Sequence, residues 1–190
     1  MANRGVAYNA IGEYAKALAD LNEAFKHVHV GALAGLYLER GTAHEGLGNH
    51  KLAIADFNEA IGWDPSLVVA YFGRATAYEA IGRGELAASD LAKAIQLDRN
   101  LVAALSMQRG YALRSARHYD EAIVAFNRAI DLRPDWPLAY FGRAASYQEK
   151  GDSKLAVADY RKCLEFNATT ELVRQRQQLA REQLEKLNEG

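Results

Sequence analysis

Tyr71-Phe72-Gly73-Arg74-Ala75-Thr76-Ala77-Tyr78 returns 69 residues later as Tyr140-Phe141-Gly142-Arg143-Ala144-Ala145-Ser146-Tyr147, with six of eight positions unchanged. That separation is one unit of 34 residues plus one of 35. Self-similarity at such a period marks a repeat architecture and is tested before any other reading. Gln108-Arg109-Gly110-Tyr111-Ala112 lies between the two copies, and Glu39-Arg40-Gly41-Thr42-Ala43 and Asn3-Arg4-Gly5-Val6-Ala7 lie upstream. An arginine followed by glycine or alanine thus recurs five times, at residues 4, 40, 74, 109 and 143.

Twelve residues after each small residue comes an alanine: Ala17, Ala53, Ala87, Ala122 and Ala156. Four further on stands a bulky residue (Leu21, Phe57, Leu91, Phe126, Tyr160), and three beyond that a small one (Ala24, Ala60, Ala94, Ala129, Cys163). Steps of three and four place residues on one helical face. Small residues opposite bulky ones let two helices pack closely. Gly48-Asn49 and Gly151-Asp152 supply a left-handed-tolerant glycine after one helix and a capping side chain before the next. Asp64-Pro65-Ser66 and Arg133-Pro134-Asp135 close the second helix of a pair and offer Ser66 and Asp135 as N-caps. No segment alternates with period two for long enough to argue a strand. The expected fold is all-α.

These residues resemble the tetratricopeptide repeat family. The matching residues are Tyr37, Gly41, Gly48, Ala53, Phe57, Ala60 and Pro65 in one unit, and Gly110, Tyr119, Ala122, Phe126, Ala129 and Pro134 in another. The resemblance covers about residues 1 to 170 and implies a right-handed α-solenoid of antiparallel helix pairs. Units are expected at about 1–32, 33–67, 68–102, 103–136 and 137–170, forming a single array over residues 1–190. A C-terminal capping helix is expected at 171–190, with Leu172, Leu179, Leu184 and Leu187 on one side. Arginine stands where the family usually has leucine, one extra residue sits near Arg99-Asn100, and about two sit around Val28 to Ala32. Met1 falls several residues inside the first helix of its unit, so the chain is either a fragment of a longer array or carries a natural short first helix. An array end normally needs a polar cap, which favours the fragment.

Composition narrows the function. Of 190 residues, 49% are apolar, and 23 Lys and Arg against 24 Asp and Glu leave a net charge of -1. Such a chain lacks the basic footprint of a nucleic-acid binder and the polybasic block that docks on an anionic membrane. No run reaches the 18 or so apolar residues of a membrane span, and the N-terminus has no signal-peptide stretch. The one cysteine, Cys163, rules out an internal disulfide and a cysteine-based zinc site, and its expected role is that of an inert core thiol. The cytoplasm is the default address.

No HExxH metal motif, phosphate loop or serine elbow occurs, so no catalytic residue, metal or cofactor is expected. Asp20, Asp56, Asp90 and Asp159 recur in the second helices and are expected to pair with the arginines. A buried arginine must be paired. The fourth unit has Ala125 in that column, leaving Arg109 to find another acceptor.

In the family, first helices line a concave groove. The resemblance therefore implies a peptide-binding surface of Leu38, Thr42 and Glu45, then Phe72, Thr76 and Glu79, then Met107, Tyr111 and Arg114, then Phe141, Ala145 and Gln148. Leu38, Phe72, Met107 and Phe141 would form an apolar ladder, unless a tight superhelix or the C-terminal helix folding back covers it. Family members that grip a chaperone's carboxylate tail use lysines, asparagines and an arginine on these faces. Here the places hold Ala2, Val6, Glu39, Val69 and Gly73, or in the other register Leu38, Thr42, Gly73, Ala104 and Gln108, so such a clamp is not expected. The expected function is a non-catalytic module binding a protein or peptide. The alternatives are a scaffold self-associating through the uncapped N-terminal repeat, near Tyr8, Ile11 and Tyr14, or a regulatory fragment of a larger protein.

Overall fold

Helix pairs account for almost every residue. The structure, a computed structural model, describes residues 1–27 and 29–188; Val28, in the expected insertion, lies outside them, as do the last two residues of the expected capping helix. Among the described residues there are ten α-helices and no strand: α1 Ala2–Ala10, α2 Tyr14–Phe25, α3 Leu33–Gly46, α4 His50–Trp63, α5 Val68–Ala80, α6 Gly84–Ser115, α7 Tyr119–Leu132, α8 Pro137–Lys150, α9 Ser153–Leu164 and α10 Glu171–Asn188. A short 3-10 turn, Val30–Ala32, precedes α3. The all-α solenoid class expected from the period is the one observed.

Two compact units divide the chain, Met1–Arg99 and Asn100–Gly190. In the first, α1 packs on α2, α2 on α3, α3 on α4 and α4 on α5. In the second, α7 packs on α8, α8 on α9, and α10 on both α9 and α8.

The alanine columns form the seams. Ala17, Ala53, Ala60, Ala94, Ala122, Ala129 and Ala156 are completely buried. Leu21, Phe57, Phe126 and Tyr160 fill the space between facing helices, all but free of solvent. Each such side chain is worth about 1.5–3 kcal/mol of burial, so these columns supply most of what the helices lack on their own.

Gly48 and Gly151 turn in the left-handed region as expected, with φ 73° and 87°. The expected caps are placed differently. Asn49 and Asp152 precede α4 and α9 but make no side-chain cap bond. The residues that precede α5 and α8 are Leu67 and Trp136, not Ser66 and Asp135. Ser66 turns back instead, its N–H and Oγ–H both donating to Asp64 Oδ1 at 2.9 and 2.6 Å. Proline disfavours the helical conformation in the residue before it, Asp64 or Arg133, and the next helix starts three residues after the proline.

Asp64, Asp98 and Arg133 share one repeat position and one extended conformation, with φ from −140° to −156°. Proline follows the first and the third. Asp98 is followed by arginine, and the chain resumes a helix at once, so α6 runs on with a single break at Asp98.

The inward stripe of α10 differs from the expected leucine face. Val173, Gln177 and Ala180 are buried, and Leu184 and Leu187 pack on the core, whereas Leu172 and Leu179 are exposed. Gln177 decides the rotation. Its amide donates to the carbonyls of Cys163 and Phe166 at 2.9 and 2.7 Å, satisfying acceptors at the end of α9 that would otherwise be orphaned.

Candidate functional site

Four of the five repeat arginines are tied to the expected aspartates by paired hydrogen bonds. Arg4 reaches Asp20 at 2.5 and 2.7 Å, Arg40 reaches Asp56 at 2.9 and 2.6 Å, Arg74 reaches Asp90 at 2.7 and 2.6 Å, and Arg143 reaches Asp159 at 2.6 and 2.7 Å. The bond to its aspartate raises the pKa of each of Arg40, Arg74 and Arg143, against an opposing effect of burial. Arg4 in turn holds the Asp20 carboxyl below the usual carboxylate range.

A second set of bonds was not expected. Arg40, Arg74 and Arg143 also donate from Nη1 to Asn22, Asn58 and Asn127 at 3.3, 2.6 and 2.6 Å. Each of these asparagines lies on the second helix of the preceding pair, so each arginine clasps two successive pairs. The guanidinium fork is therefore engaged in holding successive pairs together.

On that face in the first unit, Leu38, Thr42, Glu45 and Glu79 are half-buried, and Phe72 and Thr76 are buried. Leu38 packs against the α4–α5 seam. Thr42 Oγ1 donates to the carbonyl of Leu38 at 2.9 Å, and Thr76 Oγ1 to that of Gly73 at 2.8 Å. Glu45 accepts from Thr76 across to α5 at 3.4 Å and meets His50 Nδ1 at 2.8 Å. These contacts bring Glu45 and Thr76 together.

In the second unit, Met107, Tyr111, Arg114 and Gln148 are half-buried, and Phe141 and Ala145 are buried. Tyr111 packs edge-on against Phe126 and donates its hydroxyl to the carbonyl of Leu138 at 2.8 Å. Helix α10 lies over the end of this face. Gln148 donates to Gln183 at 2.8 Å, Arg176 stands 5.5 Å from the Phe141 ring, and Leu184 and Leu187 join the core that holds Phe141 and Met107. Phe72 and Phe141, the two aromatic rungs of the expected ladder, are each only 7% exposed.

One register position on this face has a distinct property. It holds Asn9, Glu45, Glu79, Arg114 and Gln148. Among the described residues, few buried side-chain polar atoms go unsatisfied, and two of them are Asn9 Oδ1 and Arg114 Nε. Sequence reading included Arg114 and missed Asn9, which the 36-residue step between the first two units separates from Glu45.

A further feature was not foreseen. An apolar cavity of ≈ 700 Å³ opens in the first pair, walled by Ala2, Val6, Leu21, Ala24 and Leu36, with His27, His29, Glu23 and Glu39 at its polar margin. Helix α1 is nine residues long against 13 in α5 and 14 in α8. Of the residues expected on an open N-terminal face, Ile11 is exposed and Tyr8 half-buried. Tyr14 instead turns its ring onto Gly46 at the end of α3. Among the described residues no group of His, Cys, Asp and Glu is placed to hold a metal ion, and no helix is long and apolar enough to cross a membrane.

The tetratricopeptide repeat profile matches residues 34–67, 68–101 and 138–170, and a second TPR repeat profile matches residues 110–151. The chain belongs to the tetratricopeptide repeat family. Among solved structures it is similar to TTC0263, a thermophilic TPR protein of Thermus thermophilus. They share 24% identity over 94% of this chain and 96% of that one, with a TM-score of 0.58. It is also similar to MamA, at 24% identity over 85% and 92% of the two chains and a TM-score of 0.52. A MamA RS-1 ArsTM double mutant gives 21%, 86%, 90% and 0.54 in the same measures. At these identities the likeness is one of fold. No curated protein matches the chain in sequence. Tetratricopeptide repeats make this a protein-interaction module, of a family that is typically non-catalytic.

Proposed function

We propose that the first-helix face of the repeats binds a protein or peptide segment and that the chain works without catalysis, in the cytoplasm. The observation that carries this is Arg114 Nε, a buried donor without an acceptor. Buried polar groups are nearly always satisfied, so a donor left over on a binding face is explained by an acceptor that arrives with the guest. Asn9 Oδ1, in the same column, complements it by asking for a donor. In the first unit, Phe72 and Thr76 would form the floor, with Leu38, Thr42, Glu45 and Glu79 meeting the guest. In the second unit, Phe141 and Ala145 would form the floor, with Met107, Tyr111 and Gln148 beside Arg114.

Peptides selected from a random displayed library on the full chain provide the test. Arg114→Ala should weaken the selected peptides roughly tenfold or more, the value of a hydrogen bond from a charged donor. Leu38→Asp should weaken them as well. Selected peptides that bind both variants as tightly as the wild type would show that the site lies elsewhere.

The N-terminal cavity favours a second reading, self-association through the first pair. An apolar side chain of another copy would enter this cavity against Val6, Leu21 and Leu36. Val6→Asp should then abolish any rise of mass with concentration in light scattering, and a rise unaffected by it would exclude this reading.

A further inference from the structure

The first-helix face leaves five exposed aliphatic side chains of the first unit without a role. They lie on its edge, where each first helix turns into the second. Ile11, Leu47 and Ile81 directly follow α1, α3 and α5. Leu52 and Leu86 stand in the first turn of α4 and of α6. Exposure runs from 37% at Ile81 to 71% at Ile11. Leu52 and Ile81 share a recess of ≈ 350 Å³ with Gly48, Asn49, His50 and Lys51.

Packing of the repeats does not require these residues. The equivalent places in the second unit are Ala116 and Lys150 after the first helices, and Glu121 and Leu155 in the second. Of these Leu155 alone is a large exposed apolar residue, so the apolar edge is concentrated in the first unit, where five such side chains at repeat spacing make a patch on the order of a few hundred Å². Exposed patches of that size mark interaction surfaces.

The charges along the edge indicate what covers it. The residue two places beyond Ile11, Leu47 and Ile81 is in turn Glu13, Asn49 and Arg83: acidic, neutral, basic. Lys16, 3.2 Å from Glu13, sits at one end, and Glu85 sits at the other. All five are exposed. A surface whose charge order reverses from end to end complements itself when turned through a two-fold axis.

We propose that this edge joins two copies of the chain, antiparallel, about an axis near Leu47 and Leu52. Glu13 then faces Arg83 of the second copy, Lys16 faces its Glu85, and Ile11 faces its Ile81. Parallel alignment would set Glu13 against Glu13 and Arg83 against Arg83; the antiparallel pairing replaces these with two Glu13–Arg83 contacts, while bringing Lys51, beside Leu52, near its counterpart in the second copy. Such an isologous contact closes at two copies. With its polar rim the patch approaches the roughly 800 Å² per partner of a standard interface from below, so the dimer is a weak one.

The full chain should rise in light scattering from 20.9 kDa at low concentration to twice that mass and no further. Leu52→Asp, at an exposed position, should weaken the dimer about tenfold while the far-ultraviolet spectrum stays helical. Glu13→Arg and Arg83→Glu should each weaken it roughly fivefold, because each change strikes twice in a symmetric pair. Combining the two swaps should restore the wild-type association. A chain that stays monomeric at high concentration overturns the proposal. So does growth beyond two copies, or a double swap that associates no better than either single one.

Discussion

Gly142 and Phe126 touch so closely that a Cβ on the glycine would stand 2.5 Å from two carbons of the ring. On the other side of the same ring, a Cβ on Gly110 would come within 2.7 Å. The first unit repeats the arrangement, with Phe57 held between Gly41 at 2.8 Å and Gly73 at 2.6 Å. Phe57 and Phe126 are therefore each clamped by glycines from the first helix of their own pair and of the next.

The sign of Gly142→Ala follows from two competing magnitudes. Alanine gains about 1 kcal/mol over glycine in a helix interior. Forcing a methyl group into a packed ring costs about 1–3 kcal/mol. We expect net destabilisation by about 1–2 kcal/mol in urea denaturation. The penalty should vanish in a Phe126→Leu background, which lacks the ring-tip carbons that the methyl group meets. An unchanged penalty in that background would show that the ring is not its source.

This contact lies inside the stretch that reveals the fold, yet it is hard to read there. The period discloses that Gly73 and Gly142 recur, but only the approach of the next ring explains them. Ala53 and Phe57 were legible because spacings of three and four map directly onto one helix face. The Arg74–Asp90 pair was legible because both partners recur. Asn58 was not, because it serves the arginine of the following pair. In α10, hydropathy favours Leu172 and Leu179, while the burial of Gln177 is set by the carbonyls it satisfies. The depth of the residues on the first-helix face was not legible. Nothing in the letters Phe72 and Phe141 tells that neighbouring helices cover them.

The arginine clasp makes a prediction of its own. Arg74→Leu leaves Asp90, a nearly buried carboxylate, and Asn58 without their donor. Breaking a fully buried pair costs about 3–5 kcal/mol. Water retains some access here, so about 2–3 kcal/mol is expected in thermal or urea unfolding. Arg74→Leu with Asp90→Leu should recover most of the loss, since neither charge then remains buried alone.

Arg117 occupies a backbone conformation that its neighbours in the repeat assign to glycine. Its φ is 64°, and Gly12, Gly48, Gly82 and Gly151 hold the same turn at φ between 72° and 87°. The left-handed region costs an ordinary residue about 1–2 kcal/mol, and glycine gives back part of that in chain entropy. Arg117→Gly should stabilise the chain by about 0.5–1 kcal/mol, raising the urea midpoint. Gly82→Ala should lower it by a similar amount.

Cys163 lies with Tyr160 in the seam of α8 and α9, and its thiol is completely buried. Burial pushes the thiol from 9.0 up to about 11 and the Tyr160 phenol from 10.0 up to about 12. A group whose pKa is raised on folding adds stability that is whole below its unfolded value and is lost as pH climbs to the folded one. The chain should therefore keep full stability up to about pH 9 and lose it progressively between pH 9 and 12, first through the thiol and then through the phenol. Cys163→Ala should flatten the loss between pH 9 and 11 and leave the later part in place. At neutral pH the same burial should keep the thiol unreactive towards labelling reagents until denaturant unfolds the second unit. Rapid labelling of the native chain would mean that the α8–α9 seam opens far more often than its packing allows.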